Sequence, residues 1–364
     1  CCRQKPQRER IAHQQWKDKE HEPTGELKWS LLSSSIHEQD EPDATGEKRD
    51  GEVAGLGQRT FTFGLGSSDD AAARWLSPRV GVYTDHVGML IRTGYDIVFE
   101  YPTPTPVLGM LYIHPSRTDA VRRAESLVVD PPVRIDDYID HFGNRCSRML
   151  VPAGEIRFRN DAMVEDSGEP DRKETDAEQH EIHALPDDVL RFLLPSRYCE
   201  VDQMLDLAWQ LFGQGPTGWA RVQTVCDFVN RHIQFDYLEA RSTRTACDAF
   251  REQVGVCRDF THLAVTLCRC LNIPARYCTG YLGDIGVPPS KDPMDFSAWF
   301  DAYLGGKWHT FDARNNAPRI GRILMARGCD AADVALLTSF GVSRIVQFDV
   351  WTDEVGEEAL DESD

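Results

Sequence analysis

The sequence predicts an α+β protein: a small antiparallel β domain, then a core in which a buried helix lies beside a β-hairpin. Three observations carry this. First, Val254-Gly255-Val256 is a glycine turn leading into a stretch where Phe260, Leu263, Ala264, Leu267 and Leu271 recur at helical spacing. Second, Phe296–Leu304 alternates with period two, Gly305-Gly306 suits a two-residue turn, and Lys307–Ala313 returns. Third, several short strand-like runs lie at regular spacing between Ile91 and Met163, as in a small sandwich or barrel-like domain.

Composition narrows the class. The 364 residues leave room for about two domains plus tails, and 41% of them are hydrophobic, enough for real cores. A net charge of −19 argues against nucleic acid or an anionic membrane as the main partner. There is no apolar run of membrane-helix length and no signal peptide. Eleven cysteines without repeated spacing suit a reducing cytoplasm better than a disulfide framework. Cys268, Cys270 and Cys278 form the only cysteine cluster, but no further ligand follows at zinc-site spacing, so packing is the better reading. No Asp-rich loop resembles an EF-hand, so neither calcium nor another cofactor is expected.

Residues 1–88 are polar and nearly aperiodic, and the first methionine is Met89. They read either as a disordered extension or as sequence upstream of the natural start. Strands are expected at Ile91–Phe99, Val107–Ile113, Ser126–Val129, Val133–Ile139, Arg145–Val151 and Glu155–Met163, giving a β-rich domain over 89–165. His114 and His141 fall in loops and are expected to be solvated. Residues 166–188 form a charge-rich linker, 189–353 the core, and 354–364 an acidic tail. In the core, helices are expected at Val201–Phe212 and Pro216–His232, then the Cys257 helix, a strand at Ala275–Leu282, and a loop at Gly283–Met294 that borders a cleft.

Cys257 begins its helix, where unpaired N–H groups and the helix dipole favour a thiolate. Against this stands the ordinary reading, because free cysteine is among the most buried residue types. The hairpin register supplies the second half of a site. With Leu304 opposite Lys307, Trp299 faces Asp312 and Ser297 faces Arg314. Ser297, Trp299, Thr310, Asp312 and Arg314 then share one face, with Ser297 and Asp312 about 7–8 Å apart. His309 points the other way.

Gly-Val-Cys-x-Asp-Phe at a helix start, a strand with Ala-Trp, and Trp-x-x-Phe-Asp on its partner together resemble the transglutaminase-like superfamily of cysteine enzymes. Ile273-Pro274-Ala275-Arg276-Tyr277 and Gly280-Tyr281 extend the resemblance, which covers about residues 190–350. The β-rich region resembles the N-terminal domain of bacterial members. The resemblance implies a papain-like α+β core with a cysteine, histidine and aspartate triad. It makes Cys257 the expected nucleophile and Asp312 the histidine-orienting carboxylate. Where the family pattern has histidine directly before Ala-Trp, this chain has Ser297.

A serine hydroxyl does not titrate near neutral pH, so it can neither take the thiol proton nor protonate a leaving amine. Losing a triad member elsewhere costs roughly 10⁴–10⁶ in turnover. Among stand-ins, His309 is on the wrong face, and the helical angle of His262 puts it towards solvent or one layer outside the site. His232 ends a helix in an ordinary structural position. Trp299, Arg314 and Asp259 are candidate substrate-binding residues, although Asp259 also sits where a carboxylate stabilises a first helical turn. Two readings follow. In one, Cys257 carries acyl transfer on peptide or protein amides, by hydrolysis or by transamidation. In the other, a non-catalytic cleft binds a peptide and Ser297 fills the space of the lost imidazole.

Overall fold

The computed structural model describes residues 88–360, so the expectations for residues 1–87 and for the last four residues of the acidic tail lie outside the described residues. The N-terminal strands are β1 (Met89–Tyr101), β2 (Thr105–Gly109), β3 (Val121–Arg123), β4 (Val128–Asp130), β5 (Ile135–Ile139), β6 (Arg145–Val151) and β7 (Gly154–Asp166); β3 is not among the six expected, and the strand expected over Val107–Ile113 ends at Gly109. They build two antiparallel sheets. In one, β1 lies between β7 and β15 (Arg344–Val355), with β3 and β4 paired to β7. The other has the order β14-β2-β6-β5, where β14 is Leu337–Ser339.

β15 is the main surprise. It lies in the segment assigned to the core and runs two residues into the expected tail, yet it pairs along almost the whole of β1, from Leu90↔Val355 to Glu100↔Arg344. Its alternation explains why it fits there: Ile345, Phe348, Val350 and Thr352 are buried against the sandwich. His114 also departs from expectation. It is 3% exposed, with Ser116 bonded to its Nδ1, and burial pushes its imidazole down to about 4.

The core holds four helices, α1 (Val201–Phe212), α2 (Gly218–His232), α3 (Ala246–Glu252) and α4 (Cys257–Cys270). A third antiparallel sheet joins them, with β12 (Lys307–Phe311), β11 (Ser297–Leu304), β10 (Ala275–Tyr281) and β13 (Ile323–Gly328) in that order. The hairpin keeps the expected register from Leu304↔Lys307 to Phe300↔Phe311. Gly305 and Gly306 take φ of 56° and 83°, the left-handed pair that a tight hairpin turn of this twist requires.

α4 is enclosed on every side: all fourteen of its residues are buried. Its apolar residues meet α1, α2, α3 and the β11 residues Phe300, Ala302 and Leu304 in one cluster. A second cluster fills the β-sandwich and takes in Tyr281, Ile285, Phe296, Ile323 and Met325 from the core, so the two parts share a hydrophobic interior. The acidic stretch 166–188 runs across the core rather than hanging free. Arg322 and Lys307 pair with its Asp171 and Glu174, and its Ala177 and Glu178 carbonyls accept from Trp219 and Gly305. Among the described residues no helix is long and apolar enough to cross a membrane.

Candidate active site

Two short parallel strands set the position of Cys257. β8 (Gln234–Phe235) pairs with β9 (Val254–Gly255), fixing the chain two residues before the cysteine. Gly255 must be glycine, since a Cβ there would come within 2.5 Å of Asp259 Oδ2. That same oxygen accepts from the Val256 N–H at 2.9 Å and from Arg244 Nη1 at 3.1 Å. Asp259 is therefore a fully buried helix cap and ion-pair partner of Arg244. Its candidacy for substrate binding is corrected, because it presents nothing to a cleft.

Cys257 opens α4 as expected, but burial outweighs the dipole. Its thiol packs with Tyr277, Ala298, Ala326 and Val334. Burial pushes the thiol up to about 12, with Arg314 and the Ala298 N–H pulling it down and Asp295 pushing it further up. The neighbouring Arg258 guanidinium donates to the Ser242 and Arg244 carbonyls and lies over the Tyr198 ring.

Alternation on β11 turns Ala298, Phe300 and Ala302 toward α4, leaving Ser297, Trp299 and Asp301 on the opposite side. The junction lies at the start of the strand. The N–H of Ala298 meets the sulfur of Cys257, so the Ser297–Ala298 peptide reaches the thiol. Trp299 is 3% exposed and lies under the Arg322 guanidinium. With Asp301, Thr310, Arg319 and Arg322 it lines a cavity of about 330 Å³ on the sheet face away from α4. It does not join Cys257.

Asp312 follows β12 directly and enters a turn closed by the Asn316 N–H on its carbonyl at 2.8 Å. Its carboxylate is fully engaged. Oδ1 accepts from the Asn315 N–H at 2.8 Å, and Oδ2 from Asn315 Nδ2 at 2.8 Å and Arg322 Nη2 at 2.7 Å. Burial pushes this carboxyl up, but Arg322 and Asn315 outweigh it and hold it below the usual carboxylate range. Arg314 sits at the apex of the same turn, with its guanidinium 4.0 Å above the Phe235 ring.

Every histidine of the described core is committed elsewhere. His309 Nε2 is 3.1 Å from the Leu304 carbonyl oxygen and its ring packs on Trp219, on the face expected for it. His232 Nε2 is 2.8 Å from the Phe250 carbonyl oxygen. His180 Nε2 accepts from the Gly306 N–H. His262 is not on a solvent side, because enclosed α4 has none. It is 0% exposed, stacked on Tyr198, and accepts from the Ala331 N–H at 3.2 Å. Burial holds it well below its ordinary value, hence neutral.

Sequence reasoning missed Arg322, Phe235, Tyr237 and the Ala298 N–H. β8 has two residues, too short for any periodicity to register. Arg322 lies ten residues beyond Asp312, where no local pattern links them. The other cysteines are not brought into one cluster. Cys268 and Cys270 are buried on α4, while the Cys278 thiol donates to Asp301 on the far side of β10.

Residues 206–313 match the family described as the transglutaminase-like superfamily. A Cytophaga hutchinsonii protein, provisionally designated a cysteine protease and solved at 1.9 Å, is 30% identical. Its match covers 74% of this chain and 91% of that one, with a TM-score of 0.65. An uncharacterized Mycobacterium leprae protein is 25% identical over 234 residues, which is 61% of this chain and 80% of its own length. A helix opening on a cysteine against an antiparallel sheet, the three motifs in order, and these likenesses agree: the chain belongs to the transglutaminase-like superfamily.

Proposed function

We propose that this protein recognises peptide or protein amides in its transglutaminase-like cleft, with Cys257 as the acyl-accepting thiol, and that turnover is stalled for want of a general base. One observation carries the reading. Ser297, whose peptide link to Ala298 reaches the thiol, occupies the place where the family pattern has histidine, and the histidines of the described core are bonded or stacked elsewhere. Two further facts support it. The thiol is pushed up to about 12, so only a trace is thiolate at neutral pH. The carboxylate of Asp312, which the resemblance assigns to orienting an imidazole, is held by Arg322 and Asn315 instead.

The active reading, thiol acyl transfer by hydrolysis or transamidation, keeps one specific support: Cys257 retains its place at a helix N-terminus, with Arg314 lowering the cost of its charge. Replacing Ser297 by histidine separates the two. The wild type should bind a glutamine-containing peptide without measurable turnover. Ser297→His should gain acylation by an activated ester on the order of 10²-fold or more, the contribution of one positioned general base. A folded, peptide-binding Ser297→His protein with no gain would refute the missing base as the cause. Efficient wild-type turnover would restore the active reading.

A further inference from the structure

The cleft reading leaves the kind of amide open, and the turn after β12 bears on it. Phe235 pairs with Gly255 across the β8–β9 ladder, one strand spacing of about 4.8 Å from the backbone that delivers Cys257. The guanidinium of Arg314 lies over that ring, its Cζ 4.0 Å from the centroid. Its backbone is fixed as well. Asn230 Nδ2 donates to the Arg314 carbonyl at 2.7 Å, and the Asn316 N–H on Asp312 closes the turn around it. Tyr237 packs edge-on against Phe235 at 5.1 Å, extending the same wall.

This guanidinium has no partner among the described residues: it makes neither a hydrogen bond nor an ion pair, only the ring contact. Five other arginines of the core differ. Arg244, Arg269, Arg276, Arg319 and Arg322 are all bonded to carboxylates or carbonyls. The chain carries 59 acidic residues against 40 basic ones, so carboxylates are in excess. A half-buried arginine, oriented by a ring and left open there, presents five donors in a fork that suits a carboxylate.

We propose that Arg314 is the specificity residue of the cleft, recognising a carboxylate on the amide whose acyl group reaches Cys257. The inference rests on the amide-binding reading above and names its substrate class: an amide bearing a nearby free carboxylate. Two electrostatic facts agree. Arg314 supplies the largest charge effect on the Cys257 thiol, and it also acts on the Tyr237 phenol, as a group bordering the same space would. Asp295 and Asp292, in the loop before β11, also act on the Tyr237 phenol.

The test compares N-acetyl-L-glutamine with its neutral C-terminal methylamide by calorimetry, on the full chain and on Arg314→Gln and Arg314→Lys. The wild type should prefer the acid by about tenfold or more, Arg314→Gln should lose that preference, and Arg314→Lys should keep part of it. Equal binding of both probes by wild type and Arg314→Gln would overturn the carboxylate inference while leaving the amide-binding reading intact.

Binding of neither probe would overturn the amide-binding reading, and a second readout then decides on Arg314. Cys257 is alkylated with iodoacetate and with iodoacetamide, its thiolate displacing iodide in both, and the rates are read by peptide mass. Arg314→Gln should lower the iodoacetate-to-iodoacetamide rate ratio several-fold. An unchanged ratio would mean that Arg314 acts on the sulfur alone, and the inference falls.

Discussion

Replacing Arg322 by methionine should expose how the site is held. Arg322 is 7% exposed at its side chain and bridges Asp312, 4% exposed, at 2.7 Å and Asp171, 19% exposed, at 2.8 Å. Methionine keeps much of the volume but strands the Asp312 carboxylate with only Asn315 for company. Breaking a buried pair from one side costs about 3–5 kcal/mol. With a urea slope of roughly 2–3 kcal/mol/M, the midpoint should fall by about 1–2.5 M.

The pH dependence gives a second signature of the same change. In the wild type the Asp312 carboxyl is held below its ordinary value, so its stabilisation is complete above about pH 4 and is lost as pH falls through the folded value. Without the guanidinium, burial dominates and lifts the folded value above the unfolded one. The variant then regains stability as the pH falls, and its deficit is largest near pH 7. Arg322→Met/Asp312→Asn should recover about 1–3 kcal/mol relative to Arg322→Met alone. Urea unfolding at pH 5 and pH 7 reads all three. A loss under about 1 kcal/mol that ignores pH, with no recovery in the double variant, would refute the assignment.

Leu263→Ala should cost about 3–5 kcal/mol in urea unfolding, because Leu263 is 0% exposed on a helix enclosed on all sides; a loss below about 1 kcal/mol would contradict that enclosure. Glu125 is pushed up to about 7 by burial, against the pull of the Ile113 N–H and the Asn160 amide. The folded protein therefore holds a proton that the unfolded chain has released between about pH 4.5 and 7. Stability should fall across that window by at most about 3 kcal/mol, less where solvent reaches the carboxyl. Glu125→Gln keeps an oxygen for both donors and should flatten the slope; an unchanged slope would place its origin elsewhere.

The parts legible in the sequence are those whose information is local. The stripe Phe260, Leu263, Ala264, Leu267 needs one turn of chain to declare a helix, and α1 has the bounds its periodicity gives, Val201–Phe212. Gly305-Gly306 fixes the hairpin register, because a two-residue turn leaves one pairing that keeps the apolar face inward. What stayed illegible depends on distant partners. Nothing near Arg344–Val355 announces that its mate is β1, some 250 residues earlier. The helical angle of His262 points it to solvent only if the opposite face meets water; Tyr198 and Ala331 cover it from other elements. The start of the Cys257 helix is legible in the sequence, but the depth of burial of Cys257 comes from Tyr277, Ala298 and Val334, which no local pattern supplies.

The alkylation rate of Cys257 against pH, read by peptide mass so that the other cysteines do not interfere, tests the central claim most directly: a thiol in position, without a base. With its thiol pushed up to about 12 and no imidazole partner among the described residues, the rate should still be climbing past about pH 8.5. A rate that reaches its plateau below about pH 7 would mean a stabilised thiolate, and the claim that the base is missing would be wrong.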